Sequence, residues 1–168
     1  MDLQVSNVLE LIKNQKYKEA ISDLNELVKE NKNNINYYHL RGISNLKLSN
    51  FDLAINDFNQ LIKLKPDFPD VYNNLGVVYF LNGENELAIQ NFHKAIELKE
   101  DFILAKNGLI KALCYKNSTT INNSNIFENH NEINKIKVEY SPNQFIEDKT
   151  IVSFLDKSIE AISKQFEK

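Results

Sequence analysis

A chain of 168 residues with 42% hydrophobic content holds one domain, or one domain with a tail, around an ordinary core. Its formal charge of -3 and pI of about 5.7, with no long block of either sign, argue against an electrostatic grip on nucleic acid or anionic lipid. No run is of membrane-spanning length, and the single cysteine, Cys114, can form no internal disulfide, so a reducing, cytoplasmic setting is expected.

The opening stretch, MDLQVSNVLELIKNQKY, enters an amphipathic pattern directly, without the basic leader, apolar run and small-residue cleavage site of a secretory signal. Asparagine is scattered through helical and loop patterns alike, in keeping with a bias toward AT-rich codons. The Asn-x-Ser/Thr matches at Asn117 and Asn122 follow from that abundance and carry no glycosylation meaning.

From there the chain repeats itself. A step of 34 residues carries Ala20 to Ala54 and Ala88, Ile21 to Ile55 and Ile89, Leu24 to Phe58 and Phe92, and Val8 to Gly42 and Gly76, without insertion or deletion. The first copy, residues 1–34, departs most on its first helix, where Gln4, Asn7 and Val8 stand, and is expected to be the least ordered. The second, residues 35–68, carries Tyr38, Arg41-Gly42 and the turn Leu48-Ser49-Asn50. Pro66 ends its second helix because proline lacks an N–H and clashes with the preceding turn, while Pro69 suits the first turn of the next helix.

The third copy, residues 69–102, is the fullest. Tyr72, Leu75, Gly76 and Tyr79 on one helix, the turn Asn82-Gly83-Glu84, then Ala88, Phe92 and Ala95 on the next place bulky and small residues in alternation. Gly76 and Ala88 are expected to let the two helix backbones approach closely. Residues 103–116 begin a fourth copy, with Leu109, Ile110 and Leu113 in register. Residues 117–149 form a polar stretch read as loop or disorder, broken by the alternating KIKVEY at 135–140 and a capping-box pattern from Ser141 to Gln144. In residues 150–168, Ile151, Leu155, Ile159, Ile162 and Phe166 share one helical face. That helix is expected to fold back on residues 103–116 as a substitute second helix.

The order aromatic, Leu-Gly, Tyr, Ala, Phe and Pro at these intervals resembles the tetratricopeptide repeat (TPR) family. The resemblance covers residues 1–116. It implies an all-α fold, a right-handed α-α superhelix with a C-terminal capping helix, whose first helices line a concave face that holds a partner segment. On this sequence that face comprises Asn36, His39, Ile43, Asn73, Val77, Phe80, Asn107 and Lys111. Asparagines there can pair with the backbone of an extended peptide around an apolar strip. TPR domains that clamp the C-terminal carboxylate of chaperones use basic residues and asparagines at positions occupied here by Val5, Leu9, Leu40, Asp70 and Asn74, so that partner is disfavoured.

No catalytic signature competes with this reading. The glycines are dispersed and form no phosphate-cradling loop, and neither Cys-x-x-Cys nor His-Glu-x-x-His occurs. Glu128, His130 and Glu132 alternate in the polar stretch, where a solvated loop is the better reading than a metal site. Cys114 is expected to be a small core residue rather than a nucleophile, and His93 to lie on the outer surface. The expectation is a non-enzymatic protein-interaction scaffold, a monomer or weak homodimer without cofactor or metal, whose partner is a protein or peptide and neither nucleic acid nor membrane. The alternative is the N-terminal interaction module of, or a shortened relative of, a larger enzyme whose catalytic domain is absent here, and the identity of the partner is not legible.

Overall fold

The computed structural model describes residues 3–120, with side chains placed for 4–115. They form seven α-helices: α1 (Leu3–Lys13), α2 (Tyr17–Glu30), α3 (Ile35–Lys47), α4 (Phe51–Leu64), α5 (Pro69–Leu81), α6 (Asn85–Leu98) and α7 (Ile103–Thr120). Each consecutive pair packs together, and each second helix also packs on the first helix of the next pair, so one solenoid runs from α1 to α7. No strand occurs among the described residues. The helical segment α7 continues through Thr120, past the Lys116 at which the repeat pattern ends, because Asn117 to Thr120 contain no proline or glycine to stop it. The expected extended segment at 135–140, most of the polar stretch and the C-terminal helix lie outside the described residues.

The turns repeat as faithfully as the helices. At the end of α1, α3 and α5 one residue takes a left-handed conformation: Gln15 (φ 58°), Ser49 (φ 59°) and Gly83 (φ 82°). Two backbone bonds close each turn. Gln15, Ser49 and Gly83 donate to the carbonyls of Ile12, Leu46 and Phe80, and Lys16, Asn50 and Glu84 donate to Leu11, Asn45 and Tyr79 at 2.8 to 2.9 Å. This is the Schellman closure, which satisfies carbonyls that the helix end leaves without partners. The opposite turns are equally regular: Asn31, Lys65 and Lys99 donate to Leu27, Leu61 and Ala95, Lys65 lies over Phe68 and Lys99 over Phe102, and the Asn34 side chain caps α3 by accepting from the Asn36 N–H.

Leu24, Phe58 and Phe92, all in register, are buried along the centre of the core. In α3 and α5 the glycine of the first helix faces that aromatic. A methyl placed on Gly42 would stand 2.6 Å from Phe58 Cε1, and one on Gly76 2.6 Å from Phe92 Cε1. Gly76 thus makes room for the Phe92 ring, where the sequence suggests a close backbone approach to Ala88. On its other side Phe92 is met by Gly108 of α7, where an added methyl would also collide with the ring. The ring therefore lies between two glycines on successive first helices.

In α3 the leucine expected at Arg41 is replaced by an ion pair. Arg41 Nη2 donates to Asp57 Oδ1 at 2.6 Å, Nε bridges both carboxylate oxygens at 3.1 Å, and Nη1 reaches Asn25 Oδ1 at 2.9 Å. Asn45 completes the carboxylate's shell at 3.2 Å. The first pair carries a milder version, Asn7 to Asp23 at 2.9 Å. The second and third first helices are enclosed on most sides, which is why α3 and α5 lack a single polar stripe.

Candidate functional site

Residues 34 apart stand at equivalent register positions on successive first helices. His39 of α3, Asn73 of α5 and Asn107 of α7 form such a series. His39 is 2% exposed, its ring edge-on to Phe58 and Phe68 at centroid distances of 6.2 and 5.4 Å. Its Nε2 accepts from the Asn74 amide nitrogen at 2.9 Å, which assigns the proton of the neutral ring to Nδ1. Burial lowers the His39 pKa to about 4, so the ring is neutral at physiological pH.

Asn73 is fully buried and neither its Oδ1 nor its Nδ2 has a hydrogen-bond partner. The same holds for His39 Nδ1, Asn74 Oδ1 and Asn107 Oδ1. Each buried polar atom left unpaired costs about 1–3 kcal/mol. The series is therefore a line of unsatisfied donors and acceptors running across three helices.

The expected groove is corrected in one respect. His39, Ile43, Asn73 and Val77 are buried rather than open to water. The cause is packing between neighbouring first helices, seen directly in the His39–Asn74 bond from α3 to α5. Asn36, Phe80, Asn107 and Lys111 are half-buried and form the accessible part of the predicted set. Phe80 of α5 meets Tyr115 of α7 edge to face at 5.9 Å, and Leu81 beside Phe80 is an exposed apolar side chain. Tyr115 stands in register with Leu81, a signal present in the 34-residue spacing.

Cys114 is exposed, not a core residue, because it repeats the position of Phe80 on the groove side. Partial desolvation raises its thiol pKa, which keeps it protonated and a poor nucleophile. His93 is exposed on α6 as expected. No group of three His, Cys, Asp or Glu side chains among the described residues could hold a metal ion; Glu128, His130 and Glu132 lie outside them. No described helix is long and apolar enough to cross a membrane. Asp70, in the first turn of α5, has its pKa raised by desolvation, with Lys99 and Lys65 opposing.

Two family models match the chain, a TPR repeat over residues 45–83 and a tetratricopeptide repeat over residues 69–102. Residues 45–102 of this chain are tetratricopeptide repeats. The TPR array superimposes on the first TPR domain of Spaghetti (RPAP3) bound to an HSP90 peptide, with a TM-score of 0.64 and 22% identity over 67% of this chain and 90% of that one. It is similar to MamA, with a TM-score of 0.67 and 22% identity over 93% and 81% of the two chains. It is also similar to the Yersinia enterocolitica type III secretion chaperone SycD in complex with a peptide of the translocator YopD, with a TM-score of 0.64 and 16% identity over 67% and 92%. No curated protein matches the sequence.

Proposed function

We propose that this TPR array is a non-catalytic protein-interaction scaffold that holds an extended segment of a partner protein along its concave face. The observation that carries the reading is Asn73, whose amide is buried with both polar atoms unpaired in the middle of the His39–Asn73–Asn107 series. A flat amide presents an N–H donor and a carbonyl acceptor side by side, the complement of one peptide unit, so a partner's main chain can relieve the cost of leaving it unpaired. A modest parting of the first helices admits it. Phe80, Leu81 and Tyr115 then take an apolar side chain, while Asn36 and Lys111 contact the flanks. The peptide complexes of the RPAP3 domain and of SycD support the use of this fold for holding peptides.

The partner is neutral or apolar at the centre of its bound stretch. Val5, Leu9 and Leu40 offer no charge at the chaperone-clamp positions, and Asp70 would repel a terminal carboxylate. The scaffold works as a monomer or weak homodimer in the cytoplasm and needs no cofactor, nucleic acid or membrane.

The test is a peptide library screened against the full chain, with hits measured by fluorescence anisotropy. Asn73→Ala combined with Phe80→Ala is expected to weaken the hits at least about tenfold, as the loss of one well-made polar contact and one apolar anchor would. Retention of full affinity by the double variant would remove this site from consideration.

A further inference from the structure

Two leucines stand in water along one side of α4. Leu53 is 54% and Leu64 40% exposed, and by helical spacing they lie only about 20° apart around the axis. No charge separates them, for the exposed side chains between them on that side are Asn56 and Gln60. Asp52 and Lys63, both exposed, border the strip on one flank, about 100° and 80° round from Leu53. A single exposed leucine is ordinary, but a pair bracketing an uncharged strip has the composition of the centre of an interface.

We propose that this face packs on its own copy in a second chain, α4 running antiparallel to the partner's α4 about a two-fold axis. Charge and register select that occupant. A pairing that sets Leu53 against the partner's Leu64 also brings Asp52 beside the partner's Lys63, and the two-fold axis makes each contact twice. The other second helices fail the same test, because like charges set opposite each other repel. At these register positions α2 has Glu19 and Glu30 in place of the leucines and Lys18 and Lys29 in place of the opposite charges, so both contacts would join like signs. In α6 the leucines return as Leu87 and Leu98, but Glu86 would meet the partner's Glu97. One pair of 14-residue helices makes a small interface, so the association is weak. Its residues all lie on α4, whereas the candidate binding residues lie on α3, α5 and α7. One dimer therefore carries two binding sites, and a partner with two copies of the bound segment gains avidity without any new contact. The α4 contact stands whether or not those sites bind a peptide.

Sedimentation velocity of the full chain, taken up to its solubility limit, decides it. The parent is expected to enter a monomer–dimer equilibrium. Leu53→Gln with Leu64→Gln, both at exposed positions, is expected to weaken that equilibrium at least about tenfold while α-helical circular dichroism is retained. A parent that stays monomeric, or one that dimerises as well with both leucines replaced, would overturn the proposal. The flanking charges supply a second readout that a misfolded variant cannot imitate. Asp52→Lys alone and Lys63→Asp alone each set like charges opposite and should lose association. An equimolar mixture of the two should recover it, since every charged contact in the mixed dimer then joins opposite signs. Absence of recovery in the mixture would overturn the antiparallel α4 pairing.

Discussion

Phe92 of α6 occupies the space that Gly76 of α5 leaves empty, so closely that a single added methyl would stand 2.6 Å from the ring. Gly76→Ala is therefore an overpacking change, expected to destabilise the array by about 1–3 kcal/mol. Phe92→Leu in the same chain should recover part of that loss by vacating the space. Urea unfolding of the two single variants and the double variant measures the coupling. Additive effects would show that the ring moves aside without cost.

Gln15 and Ser49 adopt a left-handed backbone that Gly83 adopts in the third repeat without a Cβ. A side chain in that conformation costs roughly 1–2 kcal/mol, offset in part by the greater freedom glycine has when unfolded. Ser49→Gly and Gln15→Gly are each expected to stabilise the fold by a net of roughly 0.5–1 kcal/mol, and Gly83→Ala to destabilise it by a comparable amount. Melting temperatures of the three variants, read beside the parent, check the sign at each turn.

Asp57 is buried at a cost that Arg41 offsets. Desolvation raises the Asp57 pKa, while the Arg41 and Asn45 contacts oppose the rise. Arg41→Leu alone strands a buried carboxylate and is expected to cost about 3–5 kcal/mol. Arg41→Leu with Asp57→Asn reproduces the Leu75 and Asn91 found in the third repeat, and should lie within about 1 kcal/mol of the parent. Denaturant titration of the pair distinguishes an ion pair that replaces ordinary packing from one that the fold requires.

His39 links stability to pH. Its folded-state pKa of about 4 lies below the ordinary 6.5, so the unfolded chain binds the extra proton across that window and stability falls as pH drops from 6.5 toward 4. The shift corresponds to a loss of about 3 kcal/mol. Asp57 and Asp70, with pKa values raised by burial, have the opposite sign: they favour the folded state at low pH and lose that contribution as pH rises through their folded values. His39→Gln removes one slope and leaves the other. The variant's loss of stability between pH 6.5 and 4 should be smaller than the parent's, as thermal melts across that range would show.

The 34-residue register made the helix pairs, the turns and the core aromatics legible, because each rests on local spacing that recurs in three copies. Burial along the concave face was not legible. Whether Ile43 and Val77 meet water depends on how near the next first helix comes, which is decided by Gly42, Gly76 and the rings seated on them. Arg41 was visible as a departure from leucine, but its partner Asp57 lies on another helix and has no motif of its own. The His39–Asn74 bond was hidden for the same reason, since it joins two repeats. Cys114 was misplaced because a lone cysteine on an apolar helix says nothing of its facing until it is set in register with Phe80.

The glycines around Phe92 also make the array mechanically uneven. One ring is gripped on both sides at the third repeat, whereas α1 leans chiefly on α2 and ends in a turn where Gln15 is held in an unfavourable backbone state. In a linear stack each repeat is held only by its neighbours. Heat or a pulling force should therefore peel the helices from α1 inward, leaving α5, α6 and α7 as the last piece to come apart. A peptide lying across that piece would be carried by the part of the molecule that yields last.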